Sequence, residues 1–442
     1  MHKVALIHLG CPKNLVDSEV MLGFLGQEFS LETNPAEADV IVINTCGFIE
    51  SAKKEAIDTI LDASDLKTQN CKALIVTGCL AQRYGKELLR GMPEIDGILG
   101  VEELPRINEV VYKALEGQKP LFCERTGYVP GMAPRKRSTP SYSAYLKIAE
   151  GCLNHCAYCA IPLIRGSQRS RQLTDIVTEA QLLVKEGVKE ITLIAQDTTA
   201  YGLDLKNNQG FAELIRKLGR ELPEDIWLRT LYCYPTRLTS DILEAMAETK
   251  QFCHYIDLPL QHISEKVLKG MGRPFRQDAT YKLIADIRKA MPDVALRSTF
   301  IVGYPGETEA DFLELKAFLE DVKFDHVGIF AFSPEEGTKA YDLTPQVPEE
   351  IARERLNQAM TLQQKISLAK NETKLDRTYP VLVMGPSEES DLVMVGRTKF
   401  QAPEIDGLTY FGMPEKVPEP GDIIQVRITQ AIEYDLAGDV EN

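Results

Sequence analysis

Hydrophobic and polar positions follow three successive patterns along this 442-residue chain. In residues 1–117, short β-branched and apolar runs at 4–9, 39–45, 72–78 and 96–101 are separated by stretches with helical apolar spacing at 14–29, 50–66, 82–90 and 104–116. Strands alternating with helices predict a parallel sheet covered by helices. Residues 118–140 are rich in Pro, Gly, Arg and Lys and carry no period, which predicts a linker. Its basic cluster, Arg135-Lys136-Arg137, reads as a solvated loop.

From 141 to 372, strand and helix signals alternate six times. Strands are expected at 144–149, 190–196, 226–232, 255–259, 295–302 and 326–332, with helices such as 174–186, 211–221, 239–249, 279–290 and 309–319 between them. Six such units predict an open or partial (β/α)6 barrel, with its chemistry at the carboxyl ends of the strands. A long charged helical stretch, 349–374, ends this region. From 373 to 442 the pattern changes to short β runs at 379–384, 392–395, 408–411 and 423–431 with Gly and Pro turns, which predicts a small all-β barrel of the oligonucleotide-binding type. The expected class is therefore α/β: a parallel-sheet domain, a partial barrel and a small terminal β-barrel.

Charge and cysteine content narrow the function. The 65 acidic residues outnumber the 50 basic ones, giving a formal charge of −15. That is a poor footprint for a nucleic-acid binder and suits a basic partner. Residues 374–442 hold 6 Lys and Arg against 13 Asp and Glu, a net charge of −7, so the terminal barrel also disfavours phosphate contact. No apolar run reaches the length of about 18 residues that spans a membrane. The first residues read as a strand and not as a signal peptide, so the ten cysteines are expected to be reduced, in the cytoplasm.

Cys152, Cys156 and Cys159 form a CxxxCxxC run after the first strand of the partial barrel. A closed zinc site or a closed 4Fe–4S cluster wants four ligands, so three thiolates leave one metal position open for a small molecule. A zinc loop is the plain alternative. Cys11, Cys46 and Cys79 each end a strand of the first domain, 35 and 33 residues apart, about one βα unit each. Neighbouring strand ends bring such thiols together, which predicts a second three-thiolate site. Cys71, Cys123, Cys233 and Cys253 lack comparable placement. Gln196, Val302 and Gly303 stand at strand ends where a cofactor pocket would form, and Arg165 and Arg297 are candidates to pair with a carboxylate. The glycines of 303–306 would let backbone approach an adenosine. His262 reads as a core histidine.

The CxxxCxxC spacing, with the aromatic Tyr158 before the last cysteine, resembles that of radical S-adenosylmethionine (SAM) enzymes. The whole chain resembles the radical-SAM methylthiotransferases, whose pattern is a three-cysteine domain, a CxxxCxxC barrel and a terminal TRAM barrel. Residues 10–19 (GCPKNLVDSE), 78–84 (GCLAQRY), 197–202 (DTTAYG) and 333–338 (SPEEGT) resemble the branch that modifies small-subunit ribosomal protein S-twelve. The resemblance implies a 4Fe–4S cluster on Cys152, Cys156 and Cys159 that cleaves SAM, and an auxiliary 4Fe–4S cluster on Cys11, Cys46 and Cys79 that carries the sulfur. Tyr158, Arg165, Gln196, Arg297, Val302 and Gly303 are the expected SAM contacts. One SAM would supply the methyl group; a second would yield the radical that takes hydrogen from the β-carbon of an aspartate. No side chain is expected to act as acid or base. The implied partners are protein S-twelve, free or within the small subunit, and a low-potential electron donor; a monomer is expected and no membrane. The rival substrate is a tRNA adenosine. A non-catalytic iron–sulfur electron carrier and a zinc-bound RNA scaffold are the readings from other classes.

Overall fold

The computed structural model describes residues 1–206, 209–273 and 275–441. The first domain is built on a six-stranded parallel sheet in the order β2-β1-β3-β4-β5-β6. Its strands are β1 (Lys3–His8), β2 (Ser30–Glu32), β3 (Val40–Thr45), β4 (Ala73–Gly78), β5 (Gly97–Leu99) and β6 (Leu121–Phe122). The central pair, β3 and β4, is buried along its whole length, as continuous apolar runs covered on both faces require. Helices α1 (Pro12–Glu28), α2 (Glu50–Asp65), α3 (Cys79–Gly91) and α4 (Ile107–Leu115) cover it. The sheet has two more strands than the apolar runs suggest. Both are short edge pairings, and β6 lies in the stretch expected to be linker.

The second domain carries six parallel strands in two three-stranded sheets, β11-β10-β7 and β12-β13-β14. These are β7 (Ser143–Lys147), β10 (Glu190–Ile194), β11 (Trp227–Thr230), β12 (Tyr255–Asp257), β13 (Ala295–Val302) and β14 (His326–Ala331). A single bridge, Leu228 to Phe252, joins the two sheets into an open half-barrel. The small ribbon β8 (Ala149–Glu150) and β9 (Arg169–Ser170), with helix α5 (Ile161–Arg165) between them, sits at its mouth. Helices α6 (Leu173–Lys185), α7 (Phe211–Glu221), α8 (Ser240–Glu248), α9 (Glu265–Gly270), α10 (Gln277–Ala290), α11 (Glu309–Val322) and α12 (Glu349–Glu372) complete the layer outside. The largest apolar core lies between these helices and the outward faces of the strands.

The terminal module is a closed five-stranded barrel, β15-β16-β17-β19-β18. It consists of β15 (Thr378–Ser387), β16 (Ser390–Thr398), β17 (Thr409–Gly412), β18 (Ile423–Ala431) and β19 (Leu436–Val440). The fifth strand, LAGDV, was not expected, because its single buried Leu436 and its glycine give it little apolar pattern. Among the described residues no helix is long and apolar enough to cross a membrane.

Polar side chains inside the half-barrel fix the terminal barrel to its base. Glu190, fully buried, accepts from Arg229 Nε at 3.0 Å and from Arg397 of β16 at 2.5 and 3.2 Å. Arg297 pairs with Asp257 at 3.0 Å and lies 3.5 Å from Asp406, which also accepts from the Tyr255 hydroxyl at 2.7 Å. Burial alone would raise the Glu190 pKa, but Arg397 and Arg229 overcome it and hold the carboxyl at about 2. A depressed carboxyl contributes stability that is present above its unfolded value, 4.5, and is lost as pH falls toward 2. Over that span the linkage amounts to about 3 kcal/mol. Glu190→Gln should therefore destabilise the chain by about 3–5 kcal/mol near neutral pH, because two buried guanidinium groups lose their counter-charge. In urea denaturation series the gap between wild type and variant should narrow as pH falls from 4.5 toward 2; a gap that does not change with pH would remove the charge argument.

Candidate functional site

Cys11, Cys46 and Cys79 stand at the carboxyl ends of β1, β3 and β4, which are adjacent in the sheet. Their approach depends on glycine. Gly10 has φ +95°, and a Cβ there would lie 2.8 Å from Cys46 Cβ; Gly78 has φ +93°, and a Cβ there would meet the Thr45 carbonyl at 2.4 Å. Asn14 clamps the same strand ends, donating to the carbonyls of Leu9 at 2.8 Å and Thr45 at 3.3 Å. Asn44 answers with donations to the Asn14 carbonyl at 2.8 Å and to Ser18 Oγ at 2.7 Å.

The three thiols differ electrostatically. Burial pushes the Cys79 thiol up to about 11 against the Arg165 charge, and burial likewise raises Cys46. For Cys11 burial also acts upward, but Lys13, Arg165 and backbone donors at the start of α1 outweigh it and favour the thiolate. Lys13 Nζ lies 3.3 Å from the centroid of the Tyr232 ring, so one buried cation serves both Cys11 and the half-barrel. Tyr232 follows β11 in a left-handed conformation, φ 65°, held by donation of its N–H to Asp257 at 2.9 Å.

Cys152, Cys156 and Cys159 lie on the loop between β8 and α5, above the ends of the half-barrel strands. Asn154 turns back on Cys152, its backbone and side-chain N–H groups each 3.4 Å from Sγ. Asn154 also donates to Asp197 at 2.9 Å, and Arg237 bridges the pair, at 2.7 Å from Asn154 and 2.6 Å from Asp197. Arg273 holds the other side: it donates to the Pro259 carbonyl at 2.7 Å and to the Tyr158 hydroxyl at 3.2 Å, and lies 3.9 Å from Cys156 Sγ. Burial drives the Cys159 thiol up to about 12.

Arg165 links the two cysteine sets. It ends α5, only six residues beyond Cys159, and its guanidinium donates to Asn14 at 3.3 Å, Asp17 at 2.8 Å, Glu150 at 2.8 Å and Cys79 Sγ at 3.6 Å. Lys147 of β7 pairs with the same two carboxylates, Asp17 and Glu150. Cys79 shares a small buried apolar cluster with Val101, Ala160 and Ile164. Burial alone would raise Glu150, but Arg165 and Lys147 hold it at about 2. The network joins α1 of the first domain to the strand and helix that flank the CxxxCxxC loop.

The other expected contacts are dispersed. Arg165 is committed to Asp17, Glu150 and Cys79, and Arg297 to Asp257 and the terminal barrel; both pairs are buried, neither is a surface pair. Val302 belongs to the core between strands and helices. The space a Gly303 side chain would need is filled by Ala352 of α12, at 2.4 Å, so packing on that helix demands glycine there. Gln196 differs: both its polar side-chain atoms are buried without a partner, beside an Asp197 and Thr199 that bond each other at 2.6 Å. An unpartnered amide at the end of β10, beneath the cysteine loop, fits a polar ligand such as SAM. His262 accepts from the Ser264 N–H at 3.0 Å, while its Nε2 stays unpaired 3.6 Å from an equally unpaired Glu307 Oε1. Asn14, Asp17, Lys147, Glu150, Asn154 and Arg273 are the site residues that the sequence reading did not single out. The first two lie within the 10–19 motif, which was the available signal.

Three family profiles match: Uncharacterized protein family UPF0004 over residues 3–100, Radical SAM superfamily over 146–319 and TRAM domain over 377–440. The chain is 48% identical over 446 residues to the "Ribosomal protein uS12 methylthiotransferase RimO" of Desulforamulus reducens, covering 100% of both chains. It is 45% identical over 437 residues to the protein of the same name from Clostridium tetani, covering 99% of this chain and 97% of that one. Among solved structures, the radical SAM methyltransferase TsrM of Kitasatospora setae superposes with a TM-score of 0.58 at 14% identity, over 77% of this chain and 74% of that one, a likeness of fold.

Removing one member of the buried four-charge network should loosen the domain junction. Asp17→Ala leaves Lys147 and Arg165 with one carboxylate and is expected to cost about 3–5 kcal/mol. The double variant Asp17→Ala/Lys147→Met restores neutrality and should recover part of that loss in denaturant titrations. Strict additivity of the two single effects would mean that the charges act independently.

Proposed function

Because the chain belongs to the family of ribosomal protein uS12 methylthiotransferases, which are radical SAM enzymes, we propose that it attaches a methylthio group to the β-carbon of an aspartate of protein uS12. Membership of the radical SAM superfamily implies SAM and a 4Fe–4S cluster. In our reading there are two clusters, one held by Cys152, Cys156 and Cys159 and one by Cys11, Cys46 and Cys79. The observation that carries this is the pairing of two three-cysteine sets across one five-residue helix, with Cys79 sharing a buried apolar cluster with Ala160 and Ile164.

When bound, SAM and the two clusters supply methyl transfer, one-electron bond cleavage and the sulfur. The protein's own groups position and shield. Asn154 and Arg273 hold the cysteine loop from two sides, and Gln196 offers an amide to SAM. Tyr158 keeps its hydroxyl on Arg273. Lys13 and Arg165 place two fixed positive charges beside Cys11 and Cys79, which offsets the negative charge of thiolate ligands. Cys79, Val101, Ala160 and Ile164 form a buried apolar cluster where the end of β4 meets α5. No side chain is assigned as acid or base.

The acidic terminal barrel supports a basic protein substrate over tRNA, because phosphate contact would meet a net charge of −7. The enzyme is expected to work as a cytoplasmic monomer fed by a low-potential electron donor, on uS12 either free or in the small subunit. The test is an anaerobic assay of reconstituted protein with SAM, reductant and sulfide, offered uS12 or unmodified tRNA and read by mass spectrometry. A methylthio adduct on a uS12 aspartate and none on tRNA is the expected result; an adduct on tRNA alone overturns the substrate. Cys152→Ala should abolish 5′-deoxyadenosine formation, while Cys11→Ala should still release 5′-deoxyadenosine yet form no methylthio product. Equal loss of both in Cys11→Ala would refute the division of labour.

A further inference from the structure

Cations crowd the junction between the strand-end cysteines and the mouth of the half-barrel, and most of them have a carboxylate. Lys147 and Arg165 share Asp17 and Glu150, and Arg237 meets Asp197 at 2.6 Å. Arg273 has no carboxylate but donates to the Pro259 carbonyl and the Tyr158 hydroxyl. Lys13 stands apart. It follows Cys11 by two residues, in the first turn of α1, and is only 9% exposed. Among the described residues no carboxylate lies at ion-pair distance from it; the groups that act on its charge are Tyr232, Cys11 and Arg165. Asp257, the acidic residue on the Tyr232 N–H, is already paired with Arg297 at 3.0 Å.

The hydrogen-bond partner of Lys13 is the neutral Tyr232 hydroxyl, and its Nζ lies 3.3 Å from the centroid of that ring. An aromatic face attracts an ammonium but brings no counter-charge. Burial works against the Lys13 charge, while Tyr232 and Cys11 support it. Charges taken from water are normally paired, so this ammonium has room for an anion that the chain itself does not supply. Tyr232 adds an independent sign. Its φ of 65° is rare for a residue with a side chain, and such conformations cluster at ligand-binding places. Gly10 is exposed, and Cys11, Pro12 and Tyr232 are half-buried, so Lys13 and its ring are reached from outside.

In the proposed reaction the atom that receives sulfur is the β-carbon of an aspartate, and the carboxylate of that aspartate is one bond away. A group that binds this carboxylate must stand beside the sulfur-carrying cysteine set, as Lys13 does beside Cys11. We propose that Lys13 binds the carboxylate of the substrate aspartate and so selects an acidic side chain for methylthiolation. The role presupposes the function proposed above. Lys13 makes and breaks no covalent bond. Its ammonium donates a charge-assisted hydrogen bond to a carboxylate oxygen, and the Tyr232 ring fixes where the ammonium stands. An asparagine in the same place would offer only a neutral oxygen.

The test uses the full-length, cluster-loaded protein without SAM or reductant, so that binding is read apart from turnover. Fluorescein-labelled uS12, and the same protein with the modified aspartate changed to asparagine, are titrated by anisotropy at about 150 mM salt, where exposed charges more than about 8 Å apart are screened. Wild type should bind the aspartate form about tenfold more tightly than the asparagine form, and Lys13→Met should bring that ratio to about one. Lys13→Arg keeps the charge and should keep a preference for aspartate. Each ratio is taken within one protein, so a general loss of affinity or of iron does not move it. The proposal is overturned by a ratio near one in wild type, by the wild-type ratio persisting in Lys13→Met, or by a Lys13→Met protein that binds neither form. Product analysis separates this from the function itself. No methylthio product on uS12 from wild type would overturn the function, whereas product from wild type with an unchanged ratio in Lys13→Met would overturn the role of Lys13 alone.

Discussion

A buried square of charge, Asp17 and Glu150 against Lys147 and Arg165, sets the relation between the first domain and the half-barrel. Charges taken from water must be fully matched, and each of these four meets two partners of opposite sign. The arrangement therefore tolerates one docking position of α1 on the half-barrel and penalises a slip of a few ångströms. Because Glu150 stands two residues before Cys152, and Asn14 and Asp17 lie within one turn or two of Cys11, the position so fixed is that of one cysteine set against the other. Arg135 extends the junction by pairing with Glu19 of α1 and Glu179 of α6. Within the segment that reads as a solvated basic loop, Arg135 is thus held by the buried Glu19 and the half-buried Glu179, while Arg137 meets the exposed Glu186.

The half-barrel is open along its side but stoppered at both ends. Val16 of α1 enters from the mouth, and Leu382 and Ala402 of the terminal barrel enter from the base, all in one apolar cluster with Tyr145, Trp227 and Tyr255. Glu190, Arg297 and Asp406 give that base its polar pairing. The terminal barrel is in this sense a structural part of the catalytic domain, and its charge reaches the surroundings only through the faces left free.

Much of this was legible in the sequence. Apolar runs of four to eight residues between helical stretches gave the parallel sheets, and the cysteines at run ends, Cys11, Cys46 and Cys79, stand at adjacent strand ends. Missing elements were those with the least pattern: the two- and three-residue edge strands and LAGDV. Arg165 and Arg297 were legible as candidates to pair with a carboxylate, but not which one: Arg165 meets Glu150 and Asp17, 15 and 148 residues away, and Arg297 meets Asp257 and Asp406, 40 and 109 residues away. Gln196 shows the opposite, an ordinary residue whose two unpartnered atoms are visible only once its neighbours are placed.

The order in which the charge square is synthesised has a consequence for how the protein is made. Asp17 and Glu19 leave the ribosome well before Arg135, Lys147 and Arg165, the nearest partner being 116 residues later. At about 5–20 residues per second, the carboxylates of α1 wait on the order of 10 s for Arg135, and the sheet, complete at Phe122, waits roughly 2–9 s for Arg165 with Cys79 uncovered. During that interval the side of Cys79 that α5 afterwards covers stays open. Chain order thus makes Cys11, Cys46 and Cys79 before the helix that covers Cys79, and before Cys152, Cys156 and Cys159.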